Sequence, residues 1–364
     1  MPAPRVAVAM SGGLDSSVAA LLLQQQGYVV RGVTLRLWED PAGEALSTGP
    51  VAAAAATCAY LGLSHQVIDL RAEFRRAVID YFVDAYARGL TPNPCLRCNR
   101  DIKFGLLLAQ IMADGDDLLA TGHYARVEQR ADGRHLLAGL DPAKDQSYFL
   151  YALTQERLAR LSFPLGAWHK ADVRALAQRQ GLPAAERAES QDICFLPDGD
   201  YRRLVAELAP EALRPGPIYD LAGRELGRHR GLPHYTVGQR GGLGLAAPRP
   251  LYVARLDVAQ NALVVGYREE LARRALLAGE MTYVAQVPPQ GATVEVKIRY
   301  RARRVRAVFR PLAGECARLE LAEPLWDVTP GQAAVIYAGD EVLGGGVILR
   351  EPEEAVAPPG DARG

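Results

Sequence analysis

The chain has 364 residues, enough for two or three domains each with its own apolar core. Its 42 Lys and Arg balance 42 Asp and Glu, so no global field draws it to nucleic acid and any such contact needs a local patch. No run of 18 apolar residues argues for a membrane span, residues 1–8 lack the layout of a secretion signal, and five cysteines, an odd number, do not make a disulfide framework; the expectation is a cytoplasmic protein whose cysteines do chemistry.

The apolar run 6–10 predicts a strand, and the alanine- and leucine-rich segment 16–26 predicts a helix. Between them lies Ser11-Gly12-Gly13-Leu14-Asp15-Ser16-Ser17. Two glycines permit positive φ and let backbone N–H groups approach an anion, while hydroxyls and the helix dipole add donors and positive potential. The turn Ala9, Met10, Ser11, Gly12, Gly13, Leu14, Asp15 and Ser16 therefore reads as a phosphate site, with Asp15 placed to orient Mg2+ or to cap the helix. No lysine follows the glycines, which excludes the Walker loop of kinases and GTPases. A serine-capped helix after a glycine turn is the bland alternative, but the full pattern is far more restrictive. SGGxDS resembles the PP-loop of the ATP pyrophosphatase superfamily, whose members adenylate a substrate oxygen and release pyrophosphate.

Further strands are predicted at 28–38, 65–70 and 117–121, and helices at 51–61, 73–88 and 102–113. This alternation implies an α/β fold with a doubly wound parallel sheet and ligands at the carboxyl ends of its strands. Cys95 and Cys98 lie in a proline-stiffened loop, 91–99, where Arg97 and the following helix start are expected to lower thiol pKa values. Cys194 lies in the segment 189–196; Cys58 and Cys316 read as core or surface residues. After Phe195 the composition turns to Pro and Gly, marking a small central domain. Short strands at 293–300, 305–309, 317–321, 333–337 and 341–349 then suggest a C-terminal β-barrel. The domain division is 1–200, 201–272 and 273–350, with a disordered tail at 351–364. Residues 297–310 hold seven basic residues and no acidic one, which predicts a strand presenting a basic stripe to RNA phosphates.

The PP-loop, the NPxxxCN segment, residues 120–125, 144–148, the SQDICF segment, 329–332 and 344–346 together resemble the bacterial tRNA-specific 2-thiouridylases, in order from about residue 5 to 350. The resemblance implies that ATP adenylates the C2 oxygen of the wobble uridine in tRNAs for Lys, Glu and Gln, and that sulfur then displaces AMP to give 2-thiouridine. The cysteine matching Cys194 would carry a persulfide. The one matching Cys98 would attack it or assist its release, leaving a Cys98–Cys194 disulfide. Ala9 to Ser16 would hold the phosphates, and Leu35 and Gly122 would flank adenine. His123, Lys144, Asp145, Gln146, Arg299, Tyr300 and Gln332 would contact tRNA, and Asn93, Pro94 and Cys95 would receive the flipped base. A sulfur-donor or sulfur-relay protein is the implied partner.

Many members carry Asp where this chain has Cys95, so the acid/base role of that carboxylate does not transfer. Cys95, Cys98 and Cys194 as three thiolates suit a [4Fe-4S] cluster with one iron left open. Zinc competes but would want a fourth ligand, and a metal-free persulfide pair with Cys95 as bystander is the third reading. Two other function classes stand beside thiolation: a small-molecule ATP pyrophosphatase such as an amide synthetase, and a non-catalytic RNA-binding protein.

Overall fold

The computed structural model describes residues 3–38, 49–187, 193–196 and 199–350. The tail expected to be disordered, and residues 190–192 of the SQDICF segment, lie outside the described residues.

The N-terminal half carries β1 (Arg5–Ala9), β2 (Val29–Arg36), β3 (His65–Asp69), β4 (Leu118–Ala120), a hairpin of β5 (Ala125–Arg130) and β6 (Gly133–Ala138), and β7 (Leu161–Ser162). Five of these form a parallel sheet in the order β3-β2-β1-β4-β7. The central strand β1 has Val6, Ala7 and Val8 fully buried, as a strand covered on both faces requires. On one face the Leu14–Gln25 helix packs Val18 and Leu22 against Val6 and Val8; on the other, Leu107 and Ile111 pack with Ala7 and Val33. Strand order runs one way from β1 to β2 and β3 and the other way to β4 and β7. The crevice between the carboxyl ends of β1 and β4 is thus the switch point at which such sheets bind ligands.

The sequence reading misplaced one boundary that matters. Cys95 and Cys98 are not in a loop: a continuous helical run covers 94–113, α-helical at both ends and π-helical over Cys98–Leu107. Asn93 is its N-cap, its side chain accepting from the Cys95 N–H at 3.1 Å, and Pro94 takes the first helical position. The apolar period that sequence reading follows begins only at Ile102, because the first two turns are largely polar, with Asn99 buried and Arg97, Arg100 and Asp101 half-buried.

The central sheet, in the order β10-β11-β8-β9, is built from β8 (Gly216–Asp220), β9 (Glu225–His229), β10 (Tyr252–Asp257) and β11 (Ala262–Gly266) around Ile218, Val253, Leu263 and Val265. The barrel follows: β12 (Arg273–Tyr283), β13 (Thr293–Lys297), β14 (Val305–Leu312), β15 (Cys316–Leu325), β16 (Ala333–Ala338) and β17 (Glu341–Ile348). Strand β12, which sequence reading did not find, closes it by pairing with both β15 and β17. Its Ala, Leu, Glu and Met are helix formers, and pairing on both edges overrides that preference. The barrel sheet runs on into the N-terminal half, where β17 pairs with β6 through Glu341 opposite Leu137 and Val342 opposite Leu136. His135 closes this joint, its Nδ1 lying 2.6 Å from Glu341 and its Nε2 lying 2.9 Å from Asp132.

Candidate active site

The turn after β1 is shaped as its glycines require. Gly12 has φ +73°, and a side chain there would run into the Pro50 carbonyl. Ser16 Oγ accepts from the Ser11 N–H at 3.2 Å and donates to the Gly13 carbonyl at 3.1 Å; Ser17 Oγ donates to the same carbonyl at 2.9 Å. The helix N-cap is Gly13, with no side-chain cap, so Asp15 lies in the first turn and does not cap it. Asp15 instead accepts from Lys170 Nζ at 2.6 and 2.8 Å and from the Tyr124 hydroxyl at 2.8 Å. Arg187 donates to the Gly12 carbonyl at 3.1 Å. Sequence reasoning missed Lys170, Tyr124 and Arg187. The one available signal was a lysine at the first position of the Lys170–Arg179 helix, where the macrodipole opposes a cation.

Gly122, after β4, lies against this turn: a Cβ there would stand 2.8 Å from Asp15 C and Ser16 N. What its bare backbone admits is therefore the turn itself. Leu35, half-buried at the end of β2, belongs to the packing of two cores, one of which holds Cys98 and Phe195. His123 has Nδ1 2.7 Å from Thr121 Oγ1 and its ring beside Phe104 and Phe163. Burial, helped by the Lys103 charge, holds its pKa well below the ordinary value, so the imidazole is neutral.

Cys98 is buried, whereas Cys95 and Cys194 have surface open to solvent. Loss of hydration pushes the Cys98 thiol up to about 12 against the opposing Lys103 charge, with Cys194, Cys95 and Asp101 adding to the rise. The surrounding protein removes enough water to raise Cys95 as well, and it raises Cys194, where the Cys95 charge adds; Lys103 opposes both. Three thiols thus share one electrostatic neighbourhood, and the cation within it is Lys103. The expectation that Arg97 and the helix start lower these pKa values fails. Arg97 lies 4.2 Å over the Tyr81 ring and 3.4 Å from Glu280 of β12, while burial outweighs the helix terminus. Among the described residues no group of three or more His, Cys, Asp or Glu side chains is arranged to hold a metal ion. The raised values belong to the unligated thiols, since a coordinated thiol is deprotonated outright. Cys58 is a core residue, and Cys316 is partly exposed.

Cys194 is held through its neighbour. The Phe195 ring is buried, with centroids 5.7 Å from Phe74, 5.5 Å from Phe82 and 6.5 Å from Trp38. Cys98 and Ile102 belong to the same apolar cluster, so Cys98 shares its floor with the residue that follows Cys194.

The basic stripe is not one strand facing solvent. Residues 298–304 connect β13 to β14, and much of the charge is paired within the protein. Arg299 donates to the Val237 carbonyl at 3.0 Å and to Thr329, pinning the central domain to the barrel. Arg303 pairs with Glu323, Arg304 lies 3.8 Å over Tyr337, and Arg310 pairs with Glu320 at 2.8 Å. Arg301, Arg303 and Arg306 are the exposed members, Arg303 with Glu323 as its partner. Several other expected RNA contacts hold structure: Asp145 accepts from the Gly139 and Ser147 N–H groups at 3.0 Å each, Gln146 accepts from the Tyr124 N–H at 3.0 Å, and Gln332 donates to the Thr91 carbonyl at 2.7 Å. Tyr300 packs 4.5 Å from Phe149, and Lys144 follows Asp141 in a turn at the edge of this face.

Three family models match the chain: a tRNA methyl transferase HUP domain over residues 4–198, a tRNA methyl transferase PRC-barrel domain over 203–267 and an aminomethyltransferase β-barrel domain over 273–348. A tRNA-specific 2-thiouridylase MnmA of Moorella thermoacetica is 52% identical over 351 residues, covering 94% of this chain and 98% of its own. One from Chloroflexus aurantiacus is 51% identical over 357 residues, covering 96% and 99%. Among solved structures, a U34-tRNA thiolase NcsA from Methanococcus maripaludis with its [4Fe-4S] cluster is 20% identical over 57% of this chain and 65% of that chain, at a TM-score of 0.34, too low for the likeness to bear on the site.

Proposed function

This chain belongs to the tRNA-specific 2-thiouridylase family, and we propose that it thiolates the wobble uridine of Lys, Glu and Gln tRNAs through a persulfide on Cys194. ATP bound on the turn Ala9–Ser16 adenylates the uridine C2 oxygen, with Leu35 and Gly122 beside the nucleotide. A carbonyl oxygen of a urea cannot leave unaided, and adenylation makes it part of a good leaving group. Sulfur from Cys194 then replaces AMP while Cys98 attacks the persulfide and takes up the resulting disulfide bond. Mg2+ enters on the nucleotide's own phosphates, since Asp15 is engaged by Lys170.

The observation that carries this reading is that Cys98 lies in one apolar cluster with Phe195, the neighbour of Cys194, with Leu35 packed against it, and that Cys98 and Cys194 are near enough to influence one another electrostatically. A small-molecule synthetase of the same superfamily has no use for that pair, and a silent RNA binder has no use for the turn. We take the domains as 1–200, 201–272 and 273–350, in keeping with the three matched ranges. Exposed Arg301 and Arg306 join Lys144, Tyr300 and His123 on the face offered to tRNA, and a sulfur-donor or sulfur-relay protein loads Cys194. No helix among the described residues is long and apolar enough to cross a membrane.

A cluster on Cys95, Cys98 and Cys194 is the second reading, favoured by the mutual influence of the three thiols; no step is routed through it. The test is 2-thiouridine formation on unmodified glutamate tRNA with Mg-ATP, by anaerobic protein with and without reconstituted iron. Activity with a persulfide donor and no iron supports the relay, with Cys95→Ser active. Activity only with iron overturns it. Pyrophosphate release that ignores tRNA would refute the function altogether.

A further inference from the structure

Loops that grip a triphosphate usually carry their own lysine, and the turn after β1 has none. The fold nevertheless brings an ammonium there. Lys170 is 8% exposed, and its Nζ stands 2.6 and 2.8 Å from the two oxygens of Asp15, inside the first turn of the helix that the phosphate turn opens. The Tyr124 hydroxyl donates to the same carboxylate, and the Lys170 ammonium lies 5.8 Å from the centroid of the Tyr124 ring. Its backbone is fixed as well, the Lys170 N–H donating to Asp141 at 3.0 Å. A buried amine at the wrong end of a helix dipole is costly unless it is paired, and an arginine or an apolar residue would serve packing alone at less cost. Three residues far apart in the chain are spent on aiming one cation at an anion site.

We infer that Lys170 supplies the cation the glycine turn lacks and contacts the β- and γ-phosphates of the bound nucleotide, with Asp15 and Tyr124 as its positioning residues. This deepens the adenylation reading and rests on it. As the bond between the uracil C2 oxygen and the α-phosphorus forms, the bond from that phosphorus to the bridging oxygen breaks and its electron pair leaves on pyrophosphate; the uracil N3 proton is released to water. Lys170 meets the charge that grows on the departing pyrophosphate.

The test uses the full chain without tRNA. Binding of ATP, inorganic pyrophosphate and AMP, each with Mg2+, is measured by calorimetry for the wild type, Lys170→Met and Lys170→Arg. The inference requires ATP and pyrophosphate to weaken by at least about tenfold in the methionine variant, AMP to stay within about twofold, and arginine to restore part of the loss. Equal weakening of AMP, or unchanged pyrophosphate binding, overturns it. Should Lys170→Met fail to fold because it strands the Asp15 charge, the pair Asp15→Asn with Lys170→Met removes both charges and gives the same readout. A chain that binds pyrophosphate through Lys170 yet never thiolates tRNA would refute the proposed function and leave this inference standing.

Discussion

Replacing Phe195 by alanine should separate the two halves of the reaction. The Phe195 ring is 3% exposed and meets Phe74, Phe82 and Trp38 at centroid distances of 5.7, 5.5 and 6.5 Å. Deleting such a ring costs about 3–5 kcal/mol, and the loss falls on the seating of Ile193–Leu196, which a 2.8 Å turn bond from the Leu196 N–H to the Ile193 carbonyl holds locally but does not tie to the floor beneath. Taking about 3 kcal/mol, and tenfold for each 1.4 kcal/mol, the seated population falls about a hundredfold. The glycine turn is not part of that cluster, so adenylation should survive. The assay has two readings: the equilibrium of the Cys98–Cys194 disulfide against glutathione, followed by mass spectrometry, and single-turnover formation of 2-thiouridine beside tRNA-dependent pyrophosphate release. The expectation is a disulfide about a hundredfold easier to reduce, slow thiolation and near-normal pyrophosphate release, with Phe195→Leu recovering part. An unchanged disulfide equilibrium, or pyrophosphate release that falls in step with thiolation, would refute the reasoning.

In Gly122→Ala the new methyl would stand 2.8 Å from the backbone of Asp15 and Ser16 and displace the phosphate turn, so ATP affinity should drop at least about tenfold while tRNA affinity holds, as read by calorimetry and filter binding. His135, between Glu341 and Asp132 and with Arg130 also paired to Glu341, has its pKa raised chiefly by Glu341. A raised histidine pKa stabilises the fold fully below the ordinary value near 6.5 and loses that contribution as pH climbs through the higher folded value. Urea midpoints of wild type and His135→Gln should therefore differ most at pH 5.5 and converge above pH 8; a constant gap would count against the clasp. Arg299→Ala should lower stability by about 1–3 kcal/mol in urea melts with little change in the salt slope of tRNA binding, because its guanidinium holds Val237 and Asp327. Arg301→Ala and Arg306→Ala should each reduce that slope by about one with stability intact. The reverse pattern would return Arg299 to the RNA face.

The parallel sheet, its helices, the phosphate turn and the two cysteine segments were legible in the sequence because each rests on local chemistry: period-2 or period-3.6 apolar runs, a glycine pair and residues of distinctive type. Five barrel strands were legible for the same reason. Strand β12 was not, since its residues favour a helix and only two neighbouring strands make it extended. The reading of 297–310 as a solvent stripe failed because charge in a sequence says nothing about partners; Arg299, Arg303, Arg304 and Arg310 find theirs on other segments. The thiol pKa shifts went the opposite way for the same reason, burial being a property of the assembled core. The sequence by itself determined the reaction family, through a turn whose backbone chemistry is local. Only the tertiary structure decided which cation meets Asp15 beside that turn and which rings hold Phe195, because Lys170 is 155 residues from Asp15 and Phe195 reaches its socket only when distant helices pack.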